Sequence, residues 1–354
     1  MNLTEIAKYR LINQQICQTN IKTTVEMVAW LGAIQAQEFT QAKWSIGLRL
    51  PNLKDNDIAK DFTEGNILRT HLLRPTWHFV AAKDIRWMLV LTAPRVHAAS
   101  SYMLRKLELN AAIFNRCNDI LIKTLQGHKQ LTRDVINKKF SRNKIAAEGP
   151  RLSYIMMQAE LEGIICSGAK QGNQFTYALL EERVPKVKSK NRDEALAELT
   201  KRYFTSRGPA TLKDFSTWSG LTLTDCKNGI EMVTTFFDSE VIANEKYFSS
   251  PAFPLAKTQF QKMYLLPIYD EFIMGYKDRS AIMVLKNSIP KSAFRYDNMI
   301  IYKGQITGTW KRTIKTKCID LEYDFFENPN KRQLSAFSKA IGRFKEFNNL
   351  AVNW

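Results

Sequence analysis

From residue 1 to about residue 250 one pattern recurs and limits what the chain can become: short amphipathic helices followed by an alternating stretch that doubles back. Thr23 and Glu26 form a capping box, and Val25, Val28, Ala29 and Gly32 then follow at helical spacing, so this helix heads toward Gln35. A second helical stretch runs from Pro51 to Gly65. Residues 67 to 81 alternate around Arg74-Pro75, which predicts two strands and a basic hairpin. The pattern returns with a helix opening at Leu131 to Ile136 and another striped by Leu152, Ile155, Met156 and Ala159, ending at Gly163. Ile164 to Cys166 and Phe175 to Leu179 flank a glycine-containing loop with Lys170 that suits a hairpin tip. Two helices followed by a flexible hairpin make a winged helix.

Val184 to Arg192, with Lys186, Lys188 and Lys190 around Pro185, is expected to be a solvated basic connector. Beyond it Leu196, Leu199 and Tyr203 mark a helix. Thr211 with Asp214 caps a second and Thr222 with Asp225 a third, while Val241 to Phe248 supplies the strands of a reduced third wing. From Met263 onward the signal turns to β. Strands are expected near 263 to 276, 298 to 303, 305 to 312 and 317 to 325, then a helix from about 330 to 347. The expected units are 1 to 110, 111 to 185, 186 to 255 and a β-rich C-terminal domain from 256 to 354.

Apolar types make up 45% of the 354 residues and charged types 24%, which excludes disordered and low-complexity classes. Lys and Arg number 52 against 34 Asp and Glu, leaving a formal net charge of +18. The isoelectric point is near 9.6, so a polyanionic partner is the first expectation. Five cysteines, Cys17, Cys117, Cys166, Cys226 and Cys318, are scattered without a Cys-x-x-Cys pair, as suits free thiols in a reducing compartment. His71, His78, His97 and His128 form no ligand pattern, so no metal and no cofactor are expected. The N-terminus lacks a basic segment followed by an apolar one, and no apolar run approaches the ~20 residues that span a bilayer, so a cytoplasmic protein without membrane contact is expected. No coiled-coil heptads occur, and a monomer is expected.

Residues 30 to 49, Trp-Leu-Gly-Ala-Ile-Gln-Ala-Gln-Glu-Phe-Thr-Gln-Ala-Lys-Trp-Ser-Ile-Gly-Leu-Arg, and residues 69 to 78, Arg-Thr-His-Leu-Leu-Arg-Pro-Thr-Trp-His, resemble the AlkZ-like family of winged-helix DNA glycosylases. The resemblance continues through Leu91 to Val96, Phe175 to Tyr177, Leu266 to Glu271, Tyr276 to Arg279 and Gly308 to Arg312, nearly the whole chain. It implies an α+β fold of three tandem winged-helix modules followed by a small β-barrel-like C-terminal domain, C-shaped with a basic concave face. The implied activity is removal of N7-alkylated purines, crosslinked ones included, from double-stranded DNA. The family's catalytic Gln-x-Gln motif falls on Gln35-Ala36-Gln37. Winged helices also bind DNA without chemistry, so a transcriptional regulator or architectural protein is the alternative.

N7 alkylation makes a purine cationic and already a good leaving group, so the enzyme's task shifts to the sugar. It must stabilise oxocarbenium-like charge and place a water, which is work of positioning and dipole orientation. Glutamine is no useful base, so the pair is expected to act through its amide dipoles. In a continuous helix Gln35 and Gln37 would point roughly 200° apart. The helix must therefore end around Ile34 or Gln35, with extended chain beyond it. Read from the residues alone, both are simply polar groups at a helix end.

Glu38 is a rival base, and Asp270, next to Tyr269 and Glu271, a second carboxylate that orients water or forms an ion pair. Arg69, His71, Arg74, Thr76 and His78 on the hairpin are donors suited to phosphate or groove contacts, although either histidine also fits a buried polar role. Lys303-Gly304-Gln305 reads as a tight turn that probes the minor groove, with Lys311 and Arg312 holding the backbone. Lys43 and Arg95, within the resembling segments, complete the expected DNA contacts.

Overall fold

The computed structural model describes residues 1 to 251, 260 to 283 and 297 to 354. The expected boundary between residues 255 and 256 lies outside them. α1 (Leu3–Asn13) opens on a capping box between Asn2 and Glu5, and α2 (Thr24–Leu31) on the expected one between Thr23 and Glu26. There follow β1 (Ile34–Gln35), α3 (Phe39–Arg49), α4 (Asp55–Glu64) and the hairpin of β2 (Ile67–Leu72) and β3 (Arg74–Ala81). The turn falls one residue earlier than expected, on Leu73, which takes a φ of 62° and leaves Arg74 as the first residue of β3.

The 22-residue α5 (Ile85–Lys106) leads to α6 (Ala111–Leu125), β4 (Leu131–Thr132), α7 (Arg133–Arg142), α8 (Gly149–Leu161), β5 (Ile165–Ser167) and β6 (Thr176–Leu179). Next come α9 (Leu180–Arg183), α10 (Arg192–Arg207), β7 (Ala210–Thr211), α11 (Leu212–Ser219), α12 (Leu223–Met232), β8 (Asp238–Ile242) and β9 (Glu245–Ser249). The capping boxes at Thr211 and Thr222 are both made.

Three small sheets share one topology. In the orders β1-β3-β2, β4-β6-β5 and β7-β9-β8, a two-residue strand placed before a helix pairs with the second strand of the hairpin that follows. β4 and β7 run directly into α7 and α11, and Thr132 and Thr211 cap those helices through their hydroxyls. The first copy departs from this rule. Between β1 and α3 residues 36 to 38 intervene, and they include Ala36 and Gln37 of the Gln-x-Gln sequence.

The C-terminal part holds β10 (Met263–Leu266), α13 (Glu271–Met274), β11 (Asn298–Tyr302), β12 (Gln305–Ile314), β13 (Cys318–Phe325), α14 (Lys331–Asn348) and β14 (Ala351–Asn353). β10 to β14 form one five-stranded sheet in sequence order, curled into a half-barrel, with only β13 and β14 parallel. The strand expected over 263 to 276 stops at Leu266. Pro267 then supplies no ladder donor, Tyr269 takes a φ of 63°, and Asp270 caps the short α13.

The cores cross the expected unit boundaries. One apolar cluster joins residues from Ala7 to Ala81 with residues from Met263 to Phe347. A second places α10 between Ala33, β2 and α5 on one side and α11, α12 and β9 on the other. The third, from Leu109 to Leu179, falls in the second expected unit except for Leu109. Where α14 crosses α3, Trp44 meets Phe344 and Phe347 at ring distances of 5.0 and 5.1 Å. A Cβ on Gly47 would lie 2.2 Å from the Phe347 ring. Gly47→Ala is expected to destabilise by about 1 to 3 kcal/mol despite the better helix propensity of alanine, seen as a lower urea midpoint.

His78 on β3 is wholly buried, which excludes the DNA contact expected of it. Its Nδ1 lies 2.9 Å from the Thr76 carbonyl, which can only accept, so Nδ1 carries the proton and Nε2 is left without a partner. Burial, with Arg74 nearby, holds its pKa well below 6.5, so the folded protein keeps the ring neutral while the unfolded chain protonates near 6.5. The unfolded state then binds more protons at acid pH. Stability is expected to be complete above about pH 6.5 and to fall below it by at most about 1.4 kcal/mol per pH unit from this group. Denaturant titrations at pH 7.5 to 5 should show a shallower slope for His78→Asn; equal slopes would exclude this linkage.

Candidate active site

α2 ends earlier than expected, at Leu31, because Gly32 takes a φ of 74° that breaks the helix. The chain then runs extended. Ile34 and Gln35 pair with Phe79 and His78 of β3, and the Ala36 N–H donates to the Trp77 carbonyl at 2.7 Å. Gln35 thus lies in extended chain, and Gln37 follows two residues later on the bend that leads into α3. Gln35 is buried and Gln37 half-exposed.

Three buried charges pin this segment. Arg207 donates through Nη1 to the Leu31 carbonyl at 2.7 Å and through Nη2 to that of Ala33 at 3.1 Å. Glu271 Oε1 accepts from the Gln35 N–H at 2.8 Å, while its Oε2 accepts from Arg207 Nη2 at 2.7 Å and Trp218 Nε1 at 2.8 Å. Arg69 donates through Nε to the Ala36 carbonyl at 2.8 Å and through Nη2 to that of Gln37 at 3.2 Å. Its guanidinium lies between Trp77 and Phe175, at 4.3 and 4.6 Å from the ring centres. Desolvation lowers its pKa to about 10, so it remains cationic at neutral pH.

The Gln35 side chain is fixed as well. Arg74 Nη2 donates to Gln35 Oε1 at 3.0 Å, and its Nη1 donates to the Trp218 and Thr217 carbonyls. A guanidinium has no acceptor, so the amide orientation is forced: the oxygen faces Arg74 and the NH₂ group points the other way. Among the described residues no protein group bonds the Gln37 side chain. Beyond Arg69 lies a cleft of about 360 Å³ lined by Trp77, Arg133, Asn173, Gln174 and Phe175 among others.

The hairpin donors therefore turn inward. His71 accepts burial too, pairing through Nδ1 and its backbone N–H with the buried Glu160 of α8, which ties the first sheet to the second helical unit. Thr76 Oγ1 is buried without a partner. Arg69, His71 and Arg74 are supports within the protein and not the surface phosphate contacts expected of them. Asp270 is also sealed inside. Arg49 binds it bidentately at 2.8 and 2.9 Å and Ser45 Oγ donates to it at 2.7 Å. Burial alone would raise its pKa, and the Arg49 contact outweighs this and holds it low, so it is the ion-pair alternative that the structure realises and no water-orienting role remains.

The Lys303-Gly304 turn does not stand free. Gly304 seats on Ala7 of α1, where a Cβ would lie 3.1 Å away, and Gln305 Nε2 donates to the Ala281 carbonyl, so the turn is a packing element rather than a minor-groove probe. Lys303 and Lys311 remain exposed. Arg312 donates to Thr40 Oγ1 at 2.9 Å and so reaches the start of α3. Lys43 pairs with Asp55 at 2.5 Å, and Arg95, exposed, donates to the Gly220 carbonyl. Glu38 is exposed and makes no cap bond, and Tyr269 is half-buried. Sequence reasoning missed Arg207, Trp218 and the bond of Glu271 to Gln35; they lie 172 to 236 residues from Gln35 or its neighbours and carry no local signal.

Among the described residues no three His, Cys, Asp or Glu side chains cluster as metal ligands, and no helix is long and apolar enough to cross a membrane. The family profile described as "DNA glycosylase AlkZ-like" matches residues 28 to 347. An interstrand DNA cross-link repair glycosylase of Streptomyces sahachiroi is 21% identical over 327 residues, covering 87% of each chain. The solved structure of the Streptomyces sahachiroi DNA glycosylase AlkZ superimposes with a TM-score of 0.80 at 18% identity, covering 100% of this chain and 99% of that one, and so shares the fold. With nearly the whole chain matched by the family profile, this protein belongs to the AlkZ-like family of DNA glycosylases.

Proposed function

We propose that the protein is a monofunctional glycosylase that hydrolyses the N-glycosidic bond of N7-alkylated purines in duplex DNA, bulky and crosslinked adducts included. The observation that carries this is the Gln35-Ala36-Gln37 segment itself: it runs from the end of a short strand toward α3, its backbone is held by Glu271 and Arg69 with Arg207 on the residues before it, and Gln37 is half-exposed. The cross-link repair activity named for the Streptomyces relative supports a substrate of this kind. In the same reading the three repeated units, 1 to 110, 111 to 185 and 186 to 255, are winged helices. With the domain from 256 to 354 they present a C-shaped basic face to DNA, on which exposed Lys303, Lys311 and Arg95 remain available.

The two glutamines have different tasks. Gln35, its oxygen engaged by Arg74, offers only its NH₂ group and so donates to an acceptor, either a sugar–phosphate oxygen or the lone pair of the incoming water. Gln37 offers its carbonyl, which accepts a proton of that water and directs its dipole toward charge developing at C1′. The C1′–N9 bond breaks with its electron pair neutralising the cationic purine. Water oxygen bonds to C1′, and the released proton passes to solvent. No group in this scheme changes protonation near neutral pH.

With an N7-methylguanine duplex under single-turnover conditions, Gln37→Ala is expected to slow base release by about 10²-fold and Gln35→Ala by less, with Arg74→Ala resembling Gln35→Ala. The wild-type rate should be level from about pH 6 to 8. Full rates in all three variants would end the assignment of the motif. Tight binding to one undamaged sequence without base release would favour the DNA-binding regulator instead.

A further inference from the structure

The cleft beyond Arg69 adjoins the Gln-x-Gln segment at two points. Arg69, which lines it, bonds the Gln37 carbonyl, and Phe175, which also lines it, meets the ring of Phe39, two residues past Gln37, at 5.2 Å. The second repeated unit supplies Arg133 from the start of α7, and Asn173 and Gln174 from the loop between β5 and β6. At about 360 Å³ the cleft has the size of a small-molecule site and is far larger than a methyl group. Its polar lining is rich in unused donors. Arg69 is only 8% exposed, and its Nε and Nη2 find acceptors while Nη1 meets none among the described residues. Nor does the Trp77 indole N–H, and the exposed Asn173 and Gln174 amides have no protein partner among the described residues.

The charge of the lining narrows the ligand. Arg69 and Arg133 stand against a single lining carboxylate, Asp134, which disfavours a cationic purine in the cleft. The cleft suits a neutral, planar group: aromatic, to lie against Trp77, Phe175 and the Arg69 guanidinium, and bearing oxygen acceptors for the unused donors. N7 shares the five-membered ring of the purine with N9, so a substituent on N7 begins close to the scissile bond and projects into the major groove. Resting on the glycosylase reading above, we propose that the cleft is a subsite for the N7 substituent and selects adducts in which that substituent is an oxygen-bearing aromatic ring. The purine itself stays outside, and Asn173, exposed and lining the cleft, is a specificity-determining residue.

The test measures affinity apart from chemistry, with the full chain and duplexes in which a 2′-fluorine on the adducted sugar resists loss of the base. The guanine carries at N7 a methyl, a cyclohexylmethyl or a 4-acetylbenzyl group. Wild type is expected to bind the acetylbenzyl duplex about 10-fold more tightly than the other two. Asn173→Trp, which fills the cleft from an exposed loop position, is expected to abolish that preference. No preference in wild type, an equal gain with cyclohexylmethyl, the same loss by the variant on all three duplexes, or a preference that survives the substitution overturns the subsite. Base release from the methyl duplex without fluorine is scored separately, so failure of the glycosylase reading is distinguishable from failure of the subsite.

Discussion

Glu271 and Arg207 meet at 2.7 Å with neither side chain exposed. A buried pair is costly in desolvation and depends on its remaining hydrogen bonds. Here those bonds go to the carbonyls of Leu31 and Ala33, the N–H of Gln35, the indole of Trp218 and the Ser206 hydroxyl, while Arg207 Nε is left without a partner. Every one of these groups is buried. The pair therefore satisfies the backbone groups that the end of α2 leaves orphaned, and in doing so it sets the path of the chain through the Gln-x-Gln segment.

The neighbouring residue does the same for the next element. Asp270 binds Arg49 on α3, and Arg49 in turn donates to the Gln14 carbonyl and to Gln14 Oε1, whose NH₂ group reaches the Glu271 carbonyl and Tyr276. Arg10 lies over the Tyr276 ring and donates to the Pro209 carbonyl. Two adjacent carboxylates thus fasten α1, α3 and α10 to the C-terminal sheet. This is also why the apolar cores do not follow the sequence repeats: the units are joined by shared polar contacts as well as by shared packing.

The proposed site arises from a departure from internal symmetry. Where β4 and β7 pass straight into helices capped by threonine, the first repeat inserts residues 36 to 38 and gives up the side-chain cap. The extra chain carries Gln37 beyond the strand that holds Gln35, and charged residues from distant elements hold the backbone on either side. The proposed site therefore coincides with the one repeat that breaks the local rule of its counterparts.

What the sequence determined alone was the local grammar. The capping boxes at Thr23, Thr211 and Thr222, the hairpins, the extended placement of Gln35 and the final helix, 331 to 348 against 330 to 347 expected, depend on residues close in sequence. The tertiary structure decided which faces are interior. β2 carries three polar residues in succession, Arg69, Thr70 and His71, yet all six of its residues are buried, because α4 and α5 pack on the first sheet and α8 and β5 meet it from the second unit. Alternation identifies two faces of a strand but not whether solvent or protein covers each. For that reason Arg69, His71, Arg74 and His78 read as surface donors in the sequence and stand as internal supports in the fold, and the side-chain partners of Asp270 and Glu271, more than 50 residues away in every case, become visible only once the chain has closed on itself.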